Sequence, residues 1–250
     1  MAFPIQHSYN SFECLCLKER AVMTKTGTTK GHNPDDTKSR LVEAGLVLFG
    51  RGGLEGVSTR QLADAAGVNL NAIQYHFGGK EEVYLAVASH IVETTGSAIR
   101  SAAQAIAIGA EKLEPADAAR QVGKILSAVV SVIFGTPDAS TRGAFMLREQ
   151  MQPGPAFDII YKGYVEAVHI AISALCARAR GLAADDPEAI IQAHAMFGQA
   201  LAFGVARDTL ARRLGRTQLG IEDLSVIAPI LERSAFLALI GTHHETKASD

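Results

Sequence analysis

Cysteine is scarce in this chain of 250 residues, which contains only Cys14, Cys16 and Cys176. Three cysteines cannot form a disulfide framework, and Cys14 and Cys16 do not have the spacing of a CxxC redox or zinc motif. We therefore expect a reduced, cytoplasmic protein. No apolar run reaches about 18 residues, so the sequence predicts no membrane span. The N-terminus has neither a basic start nor an unbroken apolar stretch, so it is not typical of a signal peptide.

The chain has no large excess of charge of either sign, because it contains 24 basic and 26 acidic residues and its formal net charge is −2. A protein that binds nucleic acid over a broad surface would be basic, so any DNA contact must be local or must use neutral donors and helix ends. Hydrophobic residues make up 48% of the chain, which is typical of a folded globular protein.

The motifs of common enzyme classes are also missing. The chain has no GxSxG, no HExxH, no GxxxxGK[ST] and no GxGxxG after a predicted strand. The glycine-rich segment GRGGLEG ends one predicted helix and precedes another. The adjacent His243 and His244 have no further ligands at metal-binding spacing. We therefore predict no enzyme, no cofactor and no metal site.

Helical periodicity extends through the chain after residue 33, and no alternating strand pattern interrupts it. The predicted fold class is therefore all-α. Beyond the N-terminal region we expect helices at about 115–134, 140–151, 156–180, 186–213 and 221–240, because turn-forming residues separate these stretches. Proline removes a backbone donor, so Pro229 is expected to kink or restart the last helix.

Signals for short helices precede the first long helix, which begins at Lys80 and is expected to continue unbroken to about residue 106. Ser58 and Gln61 have the spacing of a capping box. Gly67 breaks the chain, and Asn69 can cap the next helix. Two short helices joined by a tight glycine-containing turn, behind a supporting first helix, form a helix-turn-helix pattern.

The second of the two short helices, which is the third helix of the pattern, carries side chains suited to DNA. Asn71 and Gln74 are three residues apart and share a helix face. Each amide offers a donor and an acceptor that can pair with adenine in the major groove. Tyr75, His76 and Lys80 are placed to reach phosphates. An ordinary solvated helix face is the alternative.

Residues 37–91 carry a series of landmarks: Ala44, Phe49, Gly53, Ser58-Thr59, Leu62-Ala63, Ala66-Gly67-Val68, Tyr75-His76-Phe77 and Lys80-Glu81-Glu82. With these landmarks, the stretch resembles the DNA-binding domain of the TetR family of bacterial transcription regulators. The resemblance implies that the third helix lies in the major groove. The DNA contacts it implies are Arg60, Asn69, Leu70, Asn71, Gln74, Tyr75, His76 and Lys80. Family members commonly carry tyrosine at the position of Gln74, so the base sequence that this helix reads stays open.

Residues 148–164 and 193–215 resemble the C-terminal domain of the TetR subgroup that includes the CecR-type drug-sensitivity regulators. That resemblance implies a helical domain that dimerises through its last long helices and holds a small-molecule pocket. The side chains predicted to pair across the dimer axis are Ala195, Gly198, Gln199, Ala202 and Ala206, together with Leu224, Ile227, Ile230, Leu231 and Leu237. Packing within one chain is the alternative for these faces.

Large or adaptable side chains of the C-terminal half are candidates for an apolar pocket with a few polar anchors. They are Phe145, Met146, Met151, Phe157, Tyr161, Tyr164, His169, Met196 and Phe197. An ordinary core position is the alternative for each one. His169 and His194 are lone histidines on otherwise apolar predicted helices. For each, a core histidine with its hydrogen bonds satisfied is the alternative to a ligand or proton role.

Four segments are expected along the chain: a flexible polar arm at 1–33, a helix-turn-helix domain at 34–82, a ligand-binding and dimerisation domain at 83–245, and a tail at 246–250. The sequence thus predicts a dimeric repressor that binds a palindromic DNA operator and is released by a small apolar effector. One alternative is a transcriptional activator. Another is a helical small-molecule-binding protein without DNA binding, since five basic residues face seven acidic ones between 34 and 90.

Overall fold

The computed structural model describes residues 34–134 and 137–241, and within these ranges the secondary structure is helical without any β-strand. The predicted all-α class is confirmed. The predictions for the arm at 1–33, for the tail at 246–250 and for His243 and His244 lie outside the described residues.

The helices follow one another with short connections. The N-terminal helices are α1 (Pro34–Gly52), α2 (Thr59–Ala66), α3 (Leu70–Phe77), α4 (Lys80–Ile91), a π-helical turn (Val92–Gly96), α5 (Ser97–Gly109) and a 3-10 turn (Ala110–Lys112). The later helices are α6 (Pro115–Phe134), α7 (Pro137–Met151), α8 (Phe157–Ile160), a second π-helical turn (Tyr161–Val165), α9 (Glu166–Arg180), α10 (Pro187–Val205), α11 (Arg207–Arg213), a 3-10 turn (Ile221–Asp223) and α12 (Leu224–Ile240).

Local side-chain signals set the ends of the short helices, as the sequence predicts. The Ser58 hydroxyl accepts from the Gln61 N–H at 3.2 Å, and Gln61 Oε1 accepts from the Ser58 N–H at 2.8 Å. Gly67 ends α2 with φ of 62°, in the left-handed region that suits glycine. Asn69 Oδ1 accepts from the Asn71 N–H at 2.9 Å and caps α3.

Two π-helical turns interrupt stretches for which the sequence predicts uninterrupted helix. A Cβ added to Gly96, in the first turn, would lie 2.5 Å from Tyr164 Cδ1 in the second. A Cβ added to Gly163 would lie 2.5 Å from Val92 Cγ2. The two turns therefore touch through reciprocal glycines, a tertiary contact that helical periodicity does not reveal.

The predicted helix at 186–213 is wrong as a single element, because α10 and α11 meet at an angle of 68°. The bend lets Arg207 donate to the Leu219 carbonyl oxygen at 3.0 Å and lets its guanidinium lie 5.3 Å from the Phe134 ring centroid. It also buries Ala211. These contacts involve residues that are distant in sequence, so no local sequence pattern predicts the bend.

The expected restart at Pro229 is also wrong, because α12 continues through this residue. Pro229 lies only six positions into the helix and lacks the N–H that would bond to the Ser225 carbonyl. Both residues are exposed. Water can therefore satisfy the freed carbonyl, and the helix tolerates the proline.

The described residues group by contacts into two compact units. The first unit contains the chain up to Ala98 together with Pro137–Tyr164, and the second contains Ile99–Thr136 together with the chain from Val165. Phe49, Tyr84 and Phe145 form an aromatic cluster in the first unit. The second unit has a continuous apolar core that includes Val122, Leu126, Ile172, Leu175 and Leu231. The division into domains at 34–82 and 83–245 stays a prediction.

The stretch Phe157–Arg180 is helical, long enough and apolar enough to cross a membrane by composition, although the sequence contains no unbroken apolar run of that length. Half of its most apolar window is buried inside the protein. Ile172 and Leu175 within this stretch are part of the core of the second unit. Its hydropathy is therefore explained by burial within the protein.

Candidate nucleic-acid interface

Helix α3 presents an exposed polar side in the first unit. Asn71 and Gln74 are exposed, and Tyr75 is the most exposed large side chain among the hydrophobic residues of the described chain, at 85%. The opposite side holds Ile73, which is buried. The helix is thus anchored through one side and leaves its amides free to approach a groove.

Other predicted contact residues surround this side of α3. Arg60 is exposed on α2, and Leu70 begins α3 with about half of its surface exposed. The rings of Tyr75 and His76 meet edge to face with centroids 4.9 Å apart. Asn69 uses its side-chain oxygen as the cap of α3. The structure therefore brings these residues together around the two short helices.

Lys80 has a structural role that the sequence does not predict. Its ammonium donates to the Leu54 carbonyl oxygen at 2.7 Å and is partly buried. This bond ties the start of α4 to the loop between α1 and α2. An ammonium has three donors, so one bond leaves two for a phosphate.

Arg40 of α1 fixes the turn between α2 and α3, and sequence reasoning missed it. Its Nε donates to the Ala66 carbonyl oxygen at 2.9 Å, and its Nη2 donates to the carbonyls of both Ala66 and Gly67. These carbonyls are left free because α2 ends there. An arginine in a neighbouring helix gives no local signal for such a role, so only the fold could identify it.

The proposed dimer face belongs to the second unit. Exposed small residues recur at Ala195, Gly198 and Ala202 on α10 and at Ala206 directly after it. Ser234 of α12 donates to Gln199 Oε1 at 3.2 Å. This bond places α10 and α12 side by side.

The apolar face predicted for α12 divides between core and surface. Ile230 and Leu237 are exposed, whereas Ile227 and Leu231 are buried in the core of the second unit and Leu224 packs partly against it. Sequence reasoning missed two exposed members of the same stripes, Ile191 on α10 and Val226 on α12. Each lies four residues before a predicted member, so helical spacing could have found both.

The nine pocket candidates divide between the units. Six belong to the first unit: Phe145, Met146, Met151, Phe157, Tyr161 and Tyr164. Phe145 is buried, and Met151 is exposed. The rings of Phe157 and Tyr161 are stacked with centroids 5.8 Å apart. The Tyr164 hydroxyl contacts the Met146 sulfur, and burial raises the pKa of Tyr164.

The other three candidates, His169, Met196 and Phe197, belong to the second unit. His169 Nε2 lies 3.4 Å from His194 Nδ1, and the rings of His169 and Phe197 have centroids 6.1 Å apart. Burial and the neighbouring His194 lower the pKa of His169.

A surface groove of the second unit is lined by none of the nine candidates. Its lining residues are Glu114, Pro115, Ala116, Arg178, Ala179, Arg180, Gly181 and Ile240. The pocket assignment of the nine side chains therefore stays a prediction.

Both halves of the chain match known families. Residues 41–87 match the family described as bacterial regulatory proteins, tetR family, and residues 118–242 match the C-terminal domain of the HTH-type transcriptional dual regulator CecR. CecR of Shigella flexneri is 32% identical over 203 residues, which are 80% of this chain and 88% of CecR. The chain belongs to the TetR family.

Other relatives match a shorter length of the chain or its fold. The transcriptional repressor AcnR of Corynebacterium glutamicum is 36% identical over 58 residues, 23% of this chain and 31% of AcnR. Among solved structures, a transcriptional regulator from Rhodococcus sp. Rha1 shares the fold with a TM-score of 0.51 and 20% identity, over 80% of this chain and 96% of that protein. As a TetR-family member, the protein is a ligand-responsive DNA-binding transcription regulator.

Proposed function

We propose that the protein is a cytoplasmic homodimeric repressor that binds a palindromic operator and is released by a small apolar effector. The observation that carries the proposal is α3, an eight-residue helix with an anchored apolar side and an exposed amide-bearing side. One such helix contacts only a few base pairs, so a specific site requires two copies. The exposed stripes of α10 and α12 supply a surface on which two copies can pair.

On DNA, we assign Asn71 and Gln74 to base edges in the major groove. Leu70 offers an apolar contact for a thymine methyl group. Phosphate contacts fall to Arg60, Asn69, Tyr75, His76 and Lys80. The two α3 helices of a dimer would enter successive major grooves about 34–36 Å apart.

The effector would bind against pocket candidates of one unit, and these candidates are mostly aromatic or methionine side chains. A ligand releases DNA only if it prefers a conformation with a different spacing of the α3 helices. Such a molecule should raise thermal stability and weaken operator binding together. A ligand that stabilises the protein without changing operator affinity is not the inducer.

In vitro binding-site selection with the full-length protein tests the DNA-binding part. A palindromic consensus with two half-sites is the expected result, and no enriched sequence would contradict it. Deletion of the gene then tests the sign of regulation. Transcription from promoters that carry the consensus should rise. A fall at these promoters would indicate an activator, and the relative CecR is named a dual regulator.

A further inference from the structure

A buried carboxylate joins α7 to α4 inside the first unit. Glu149 is only 2% exposed. Its Oε1 accepts from the Tyr84 hydroxyl at 2.5 Å, and its Oε2 accepts from the Gly154 N–H at 3.1 Å. A carboxylate in such a place is costly unless its oxygens are hydrogen-bonded. Burial and Glu149 raise the pKa of Tyr84, so its hydroxyl keeps the proton that it donates.

The preceding residue, Arg148, holds the end of α1. Its Nη2 donates to the Arg51 carbonyl oxygen at 2.6 Å. This carbonyl lies in the last turn of α1, where no intrahelical partner is available. A Cβ added to Gly53 would lie 3.2 Å from Arg148 Cδ, so a glycine there leaves room for the arginine.

The helices held by these two residues are closely packed. The Tyr84 ring lies between Phe49 of α1 and Phe145 of α7, with centroids 5.0 Å and 4.8 Å away. A Cβ added to Gly50 of α1 would lie 3.2 Å from the Thr141 carbonyl oxygen of α7. Residues 148 and 149 therefore set the spacing of α1, α4 and α7 with polar bonds beside a tight apolar contact.

Helices α1 and α4 in turn hold the recognition elements. Arg40 of α1 binds the carbonyls at the turn between α2 and α3. Lys80, the first residue of α4, binds the loop before α2. A change in the spacing of α1 and α4 is thus transmitted to α3 through bonds at both ends of α2.

We propose that Arg148 and Glu149 are positioning residues for operator binding, which fix α1 and α4 against α7 and thereby the direction in which α3 enters the groove. The proposal rests on the dimeric operator complex described under Proposed function. A dimer with firmly held α3 helices accepts one separation of the two half-sites. A dimer with loosened α3 helices tolerates several.

Tyr84→Phe is the sharpest test, because it removes one hydroxyl and keeps the ring between Phe49 and Phe145. The selected operator is compared with versions that have one base pair inserted or deleted between the half-sites, and with scrambled DNA. We expect affinity for the optimal operator to fall about tenfold, because loosened α3 helices are no longer held in the direction that this operator fits. Affinity for the altered spacings and for scrambled DNA should change little, so the spacing preference becomes flatter.

Two further variants separate positioning from folding. Glu149→Gln can accept from the Gly154 N–H and donate to the Tyr84 oxygen, so it should retain most of the spacing preference. Arg148→Met keeps the stem over Gly53 and loses the bond to Arg51, so it should flatten the preference as Tyr84→Phe does. Asp117→Asn is the control, because Asp117 forms an exposed ion pair with Arg120 in the second unit.

The outcomes are distinguishable. If folded Tyr84→Phe and Arg148→Met keep the wild-type preference for one spacing, Arg148 and Glu149 are not positioning residues. Equal losses on every duplex, with a lower melting temperature, would show a role in stability alone and would also overturn the proposal. If binding-site selection with the wild-type protein yields no operator with two half-sites, the proposed function is wrong. That result does not depend on these variants.

Discussion

At the scale of single residues, the candidate interface combines the exposed amides of α3 with two cations, Arg40 and Lys80, that bind backbone carbonyls on either side of α2. The cap at Asn69 and the shared helix face of Asn71 and Gln74 follow from residue type and spacing, which are local signals. Arg40 could not be assigned from sequence, because the carbonyls that it binds come from a turn 26 residues away. Sequence reasoning likewise assigned Lys80 to phosphate, although the structure also gives it a bond to Leu54.

Gln74 gives the first prediction. Gln74→Ala should weaken binding to the preferred operator by about 1–3 kcal/mol and relax specificity at one position of each half-site. It should change binding to scrambled DNA little, and the fold should persist because Gln74 is exposed. Titrations against both duplexes measure the difference. Equal losses on the two would show that Gln74 does not distinguish bases.

Arg60 gives a second prediction, which tests a contact with phosphate and complements the test of base contact at Gln74. It is exposed on α2, whereas substitution of Lys80 would also break the bond to Leu54. Arg60→Ala should weaken binding to operator and scrambled DNA about equally, because a phosphate contact is independent of sequence. The slope of log affinity against log salt should decrease by about one. An unchanged slope would remove Arg60 from the phosphate contacts.

His169 gives a prediction about pH. Its pKa is lowered by burial and by His194, so the unfolded chain binds a proton more readily than the folded protein does. Above about pH 6.5 both states are neutral and the effect vanishes. As the pH falls below that value, the free energy of unfolding decreases until the folded-state pKa is reached. The melting temperature should therefore drop more between pH 7.5 and 5.5 in the wild type than in His169→Phe.

At the scale of elements, prediction succeeded where signals are local and failed where packing decides. The capping box of Ser58 and the stop at Gly67 lie within a few residues of the ends that they set. The turns Val92–Gly96 and Tyr161–Val165 depend instead on each other. The bend after α10 depends on partners of Arg207 that are distant in sequence. The helical periodicity of apolar residues does not predict such contacts.

The reciprocal glycines give a prediction about packing. Gly96→Ala or Gly163→Ala places a Cβ 2.5 Å from a side-chain carbon of the facing turn. Overpacking of this kind costs about 1–3 kcal/mol, which should lower the melting temperature by several degrees. Gly109→Ala is the control, because a Cβ there meets nothing within 4 Å. Equal melting temperatures for all three variants would contradict a tight contact.

At the scale of the whole molecule, the dimer surface proposed above lies on the second unit. Ile230→Glu places a charge in the exposed stripe of α12 without disturbing the core, since Ile230 is 46% exposed. We expect light scattering to show a shift from dimer toward the 26.5 kDa monomer. Operator affinity should fall at least tenfold, because each copy then binds one half-site alone. A variant that remains dimeric would place the interface elsewhere.

The grouping of residues up to Ala98 with Pro137–Tyr164 has a consequence for synthesis on the ribosome. A nascent chain that ends before residue 137 already contains α1 to α4, but it lacks Phe145 and Glu149, which cover Tyr84. The first unit can therefore close only after about two thirds of the chain has emerged. A chain whose synthesis stops early would expose the apolar side of α4, and proteases would degrade it. Such a chain could bind an operator but not respond to the effector, and degradation would remove it first.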